Sequence, residues 1–176
     1  MDLRRVVTGV SGSAGSLQAL RFAAEMARSN QAELVVVLAW VPPGGDMADR
    51  RMPSAELRRI WRQAARERLS RAVELAIGGP PADVEFEPEI VRGEAGPALI
   101  EVACQPGDVL VIGSGRHGPL RRMLACKVSR YCLGHGRCPV IAVPPAQLAD
   151  DAHGLRWFML RRRLVRSGNE LHPAGA

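Results

Sequence analysis

Two glycine-rich turns end apolar runs in this chain, and each opens onto a stretch with helical spacing. The first is Gly9-Val10-Ser11-Gly12-Ser13 after Val6-Val7; the second is Gly113-Ser114-Gly115-Arg116-His117-Gly118 after Val109-Leu110-Val111-Ile112. Glycine lets backbone approach a ligand closely, and the helix that follows presents unpaired N–H groups and a positive dipole end to anions. The chemistry that fits is a cradle for phosphate or a nucleotide. The plainer reading of Gly9, Gly12 and Gly15 is tight turn geometry, which holds with or without a ligand.

No catalytic constellation accompanies the turns. His117 and His135 have no Ser or Cys nucleophile with an orienting carboxylate nearby in sequence, and neither pairs with a second ligand at zinc spacing. Glu85, Glu87 and Glu89 alternate along one run and read as its wet face. The four cysteines, at 104, 126, 132 and 138, form no CxxC pair and read as free thiols. Cys126 sits beside Lys127 and close to Arg121 and Arg122, an environment that lowers a thiol pKa, so a redox-sensing thiol is one alternative. Cys132 and Cys138 read as packing residues. The chain reads as a binding module rather than an enzyme.

The elements that must position these turns alternate strand with helix. Arg5 to Val10 is a short apolar run, and Ser16 to Asn30 carries Leu17, Leu20, Ala23, Ala24 and Ala27 on one helical face. Glu33 to Val41 is too continuously apolar for a half-solvated strand and reads as a buried parallel one. Gly44 to Pro53 is polar and reads as a mobile connection. Ser54 then caps a long helix carrying Leu57, Ile60, Trp61, Ala64, Leu69, Val73 and Ala76, which Gly78-Gly79-Pro80-Pro81 stops.

Val84 to Val91 alternates and contains Pro88, two marks of an edge strand. Glu94 to Cys104 reads as a short helix, Asp108 to Gly113 as a buried strand, Val128 to His135 as a helix, and Val140 to Val143 as the last strand. Five strands and four helices in alternation imply an α/β fold, a parallel sheet with helices on both faces. Ligands in such sheets bind at the carboxyl ends of strands. The two glycine turns meet there if the first and fourth strands are neighbours.

The 176 residues suit one domain of ordinary size, and 47% hydrophobic content suits a globular one. No apolar stretch approaches the roughly 18 residues of a membrane span. With no secretory pattern at the start, a cytoplasmic protein is expected. The 24 basic and 18 acidic residues give +6. Solubility is the common reason for such a charge, and few aromatic residues are available to stack on bases, so no specific nucleic acid is expected.

From Arg4 to Pro145 the chain resembles the universal stress protein family. The resemblance rests on Val6-Val-Thr-Gly-Val-Ser-Gly-Ser13, Ile90-Val-Arg-Gly93, Asp108-Val-Leu-Val-Ile-Gly-Ser114 and Arg137-Cys-Pro-Val-Ile-Ala-Val143. It implies an adenine nucleotide alpha hydrolase-like fold: a five-stranded parallel sheet of order 3-2-1-4-5, commonly dimeric through the last strand. Nucleotide-binding members carry glycine, two residues, glycine, nine residues, then glycine with serine or threonine. Laid from Gly113, that signature puts Arg116 at the second glycine, Cys126 at the third and Lys127 at the serine. Val128 and Ser129 still resemble the family, whose backbone and hydroxyl groups near this point contact phosphates.

The acidic residue that many binding members place in the first turn is Ser11 here. The resemblance thus implies ATP or another adenine nucleotide on a degraded signature, with Mg only as the nucleotide's companion. Arg116 can fill the anion site with its own guanidinium, or Arg116 and Lys127 can replace the missing phosphate contacts. Trp40, at the end of the second strand, reads as core ahead of a purine-stacking residue. The cofactor candidates are Gly9, Val10, Ser11, Gly12, Trp40, Gly113, Ser114, Arg116, Cys126, Lys127, Val128 and Ser129.

Residues 1–146 form the family-like domain and 147–176 a basic extension, in which Leu155 to Arg166 is partly amphipathic. That extension reads as a short helix packed on the domain or a dimer partner, or as a flexible tail, ahead of contact with an acidic membrane surface. The expected function is a dimeric stress-response or regulatory module with an unidentified protein partner.

Overall fold

The computed structural model describes residues 2–51, 53–114 and 122–144, with the side chains of 46, 48, 50 and 122–126 left out. Five parallel strands, β1 (Arg5–Gly9), β2 (Glu33–Trp40), β3 (Phe86–Arg92), β4 (Asp108–Gly113) and β5 (Val140–Val143), form one sheet of order β3-β2-β1-β4-β5. The helices are α1 (Ala14–Asn30), α2 (Gly45–Arg51), α3 (Ala55–Ile77), α4 (Ala95–Val102) and α5 (Arg122–His135). The parallel α/β architecture and strand order are those expected from the sequence.

Alternation along the central strands sorts the core into two layers. Val6, Leu34, Val36, Leu38 and Val111 pack with Leu20, Ala23 and Ala24 of α1 and Leu69 and Val73 of α3. Val7, Val35, Val37, Leu110 and Ile112 pack with Leu99 of α4 and Cys132 of α5. Buried on both faces, β1, β2 and β4 need the near-continuous apolar runs they carry. β3, exposed at Glu87 and Pro88, lies at the margin, where a proline's missing N–H costs no ladder bond.

Three boundaries are set by caps. The Ser54 side chain accepts from the Leu57 N–H at the start of α3, and Gly78, at φ 76°, ends it with its N–H on the Glu74 carbonyl. α1 starts at Ala14, two residues ahead of the expected Ser16, because the Ser13 side chain caps the Ser16 N–H. At the amino edge of the sheet, Arg5 Nη2 donates to the Val102 carbonyl at 2.8 Å, and Arg5 Nε lies 3.1 Å from Oδ1 of the buried Asp108. That last approach is an ion pair without hydrogen-bond alignment.

Three expectations are corrected. Gly44 to Pro53, read as a mobile connection, contains α2, so the described residues hold five helices rather than four. Its order has a tertiary cause: Asp49 reaches arginines on α3 and β3. α5 begins at Arg122 rather than Val128. The edge strand is Phe86–Arg92, two residues later at its start and one at its end than Val84 to Val91.

Candidate functional site

β1 and β4 are hydrogen-bonded neighbours at the centre of the sheet, so their carboxyl ends, Gly9 and Gly113, lie side by side at one edge. This is where doubly wound sheets take ligands. The end of β4 lies tight against the helix that follows the first turn: a Cβ on Gly113 would stand 2.6 Å from the Gly15 carbonyl oxygen and 2.7 Å from its carbon. A Cβ on Gly9 would meet both Leu99 methyls at 2.9 Å. Gly113, facing backbone, is therefore required by packing within the domain, whereas at Gly9 the Leu99 side chain would have to give way. Gly12 differs: its φ is 80° and the space around it is open, so the turn itself requires glycine.

Three serines organise the first turn. Ser11 Oγ lies 3.0 Å from Ser13 Oγ and 3.3 Å from Ser16 Oγ, and Ser13 Oγ lies 3.2 Å from Ser16 Oγ. Ser16 Oγ donates to the Ser13 carbonyl at 2.9 Å and accepts from the Ser11 N–H at 3.2 Å. The Ser11 hydroxyl is thus turned onto its own loop.

Backbone donors at the site are partly committed. The Val10 N–H donates to the Val37 carbonyl at 2.9 Å, and the Ser114 N–H to the Val143 carbonyl at 2.8 Å. Ala14 and Gly15, in the first turn of α1, have N–H groups with no intrahelical acceptor; Ala14 is exposed and Gly15 is buried. On α5, Ser129 is buried and its hydroxyl donates to the Gly113 carbonyl at 2.9 Å, tying the helix to the end of β4. Val128 is half-buried against the second core layer, and Lys127 is exposed. Arg116 lies outside the described residues, as does the Cys126 side chain, although the Cys126 backbone belongs to α5.

Trp40 is buried in the first core layer, with the Arg92 guanidinium 6.0 Å from its ring centroid. It is thus core, capped by a cation. Burial pushes the Cys132 thiol up to about 11 and raises that of Cys138, as suits packing residues. Among the described residues no group of three or more His, Cys, Asp or Glu side chains is arranged to hold a metal.

One feature at this edge has no sequence signature. Asp49, from the middle of α2, is almost wholly buried; both its oxygens lie 3.0 Å from Arg58 Nε, and Oδ2 accepts from Arg92 Nη2 at 2.8 Å. The Arg58 hydrogen bonds and those of Arg92 hold its carboxyl below the usual aspartate range, against the opposing effect of desolvation. An isolated aspartate in a polar stretch reads as solvated; only the fold brings the two arginines to it.

Residues 2–144 match the model of the Universal stress protein family. The chain belongs to that family. As a universal stress protein it is similar to Universal stress protein Rv2624c and Universal stress protein MT2699, both of Mycobacterium tuberculosis. Each is 25% identical over 161 residues, covering 90% of this chain and 54% of the relative, so the chain spans about half the length of the curated relatives it matches. A solved universal stress protein from Archaeoglobus fulgidus is 26% identical at TM-score 0.55, covering 81% of this chain and 98% of its own. The protein MJ0577 shares the fold at TM-score 0.62 and 14% identity, with 84% and 99% covered. So does a universal stress protein in complex with cAMP, at TM-score 0.53 and 23% identity, with 83% and 100% covered. Among the described residues no helix is long and apolar enough to cross a membrane.

Proposed function

We propose that this universal stress protein is a non-catalytic regulatory module whose nucleotide cleft is degenerate, and that it acts as a homodimer through β5 on a protein partner. The observation that carries the reading is the first turn. Ser11, Ser13 and Ser16 bond to one another where a ribose-binding carboxylate would stand, while Gly113 serves internal packing. Among the described residues β5 pairs with β4 on one side only, and its outer edge is suited to a second copy.

A second reading keeps adenine nucleotide binding, with Arg116 and Lys127 supplying the phosphate contacts. It is favoured by the exposed first residue of α1, Ala14, whose N–H has no intrahelical acceptor, and by the cAMP complex of a protein of the same fold. The described parts of the turns carry hydroxyls and no carboxylate, so any Mg would be held by the nucleotide's phosphates.

Calorimetry with ATP, AMP and phosphate on the native protein, Arg116→Gly and Ser11→Asp separates the two. No native binding, with a gain in either variant, supports the degenerate cleft. Micromolar native binding, lost in Arg116→Glu, overturns it in favour of nucleotide regulation.

A further inference from the structure

The margin of the sheet at β3 is acidic on one face. In register, Glu87 stands beside Val35 and Glu89 beside Val37, so both glutamates lie on the side of the second core layer, while Phe86 and Ile90 turn to the first. Glu85 precedes Glu87 by two residues, and Glu33 precedes Val35 by two. Glu85 and Glu87 are exposed, Glu33 and Glu89 half-buried. Desolvation first, and then the hydrogen bond or charge of Glu87, raise the carboxyls of Glu33 and Glu89; the charge of Glu85 adds to the one and that of Glu101, on α4, to the other. Arg5 offsets both in part, but its guanidinium is held by Asp108 and the Val102 carbonyl. Among the described residues none of these five glutamates belongs to an ion pair.

α3 carries the complementary surplus on the other side of the sheet. Leu69 and Val73 bury it against the first core layer, and Arg59, Arg62 and Arg66 recur at three and four residues along an exposed flank. None of the three belongs to an ion pair among the described residues. The rows match in length: Arg59 to Arg66 rises about 10 Å along a helix and Glu85 to Glu89 about 13 Å along a strand. Lying on opposite sides of one sheet, they cannot meet within a single folded chain.

We propose that the glutamate face of β3 docks the Arg59, Arg62 and Arg66 flank of α3 from a second copy of this chain. Guanidinium forks fit carboxylates in pairs, and a cation brought to Glu87 relieves repulsion that the fold imposes on Glu33 and Glu89, which an isolated surface pair does not do. The contact is heterologous: each copy presents one face of each kind, so association continues past a pair instead of closing on it. It uses neither the glycine turns nor the outer edge of β5.

Sedimentation velocity of the full chain at high micromolar concentration reads the contact without any variant. At about 20 mM salt the native chain should form species larger than a dimer, and these should dissociate at about 500 mM, where screening confines charge to about 4 Å. Glu87→Arg with Glu89→Arg, and separately Arg62→Glu with Arg66→Glu, should each weaken low-salt association at least about tenfold, and an equimolar mixture of the two variants should restore it. Glu87→Gln and Arg66→Gln remove charge without reversing it and serve where a reversal unfolds the domain; each should weaken association about threefold.

A native profile that does not change with salt overturns the proposal, as does a mixture of the two reversed variants that sediments no faster than either alone. Capture of an arginine-rich peptide on the glutamate face, without self-association of the native chain, also overturns it, by assigning that face to a different basic partner. A dimer through β5 stops at two copies, so its presence or absence is read separately from the larger species.

Discussion

Gly113→Ala tests whether the glycine after β4 serves packing or ligand approach. The added methyl would lie 2.6 Å from the Gly15 carbonyl oxygen, 2.7 Å from its carbon and 3.2 Å from the Ser16 nitrogen, all backbone atoms of the first turn of α1. Gly113 has an ordinary negative φ, so the cost is steric: α1 must shift on a sheet that it packs tightly, or β4 must retreat. Overpacking of this kind costs roughly 1–3 kcal/mol, and the absence of a movable side chain places Gly113→Ala at about 2 kcal/mol. For a chain of this size that is a fall in Tm of about 4–8 °C, read by thermal or urea unfolding without ligand. Gly12→Ala is the control: its open surroundings leave only the backbone penalty at φ 80°, about 1 kcal/mol. A Gly113→Ala protein within about 0.5 kcal/mol of the native one, but altered in ligand binding, would refute the packing argument.

Other substitutions follow from named atoms. Thr8 Oγ1 is buried without a hydrogen-bond partner among the described residues, so Thr8→Val should leave stability unchanged or raise it by about 1 kcal/mol in urea melts. Asp108→Ala strands Arg5 beside an apolar strand end and removes the acceptor of the Gln105 N–H, and should cost about 3 kcal/mol by the same measurement. Glu33 has its carboxyl raised, first by desolvation and then by its hydrogen bond to Glu87 and that group's charge. The folded state therefore keeps this proton to a higher pH than the unfolded chain. The resulting penalty is absent in acid, and grows as pH rises from the ordinary carboxylate range through the raised folded value. Glu33→Gln should raise Tm at pH near 7 and leave it unchanged near pH 3, where the native carboxyl is already protonated.

The fold was legible because its signals are local. Continuous apolar runs at Leu34–Leu38 and Val109–Ile112 can be satisfied only in strands buried on both sides, and Pro88 can sit only where a ladder donor is dispensable. Ser54 announced its helix by its chemistry. The order 3-2-1-4-5 came with the family resemblance, and the sheet has it. α2 was missed because a seven-residue polar segment carries too short a period to distinguish helix from loop.

The candidate site divides along the same line. The sequence by itself determined that two glycine turns follow strands, a statement about residue type and spacing, and its resemblance to the family implied that Ser11 stands for an acid and that Arg116, Cys126 and Lys127 depart from the nucleotide signature. Only the tertiary structure decided what the residues touch. Gly113 answers to Gly15, about a hundred positions away, Trp40 lies in the core beneath Arg92, and Asp49 meets Arg58 and Arg92 because β2, α3 and β3 converge at one edge of the sheet. Side-chain contacts of that range depend on the packed distance between elements, a quantity that no local pattern of apolar and polar residues encodes.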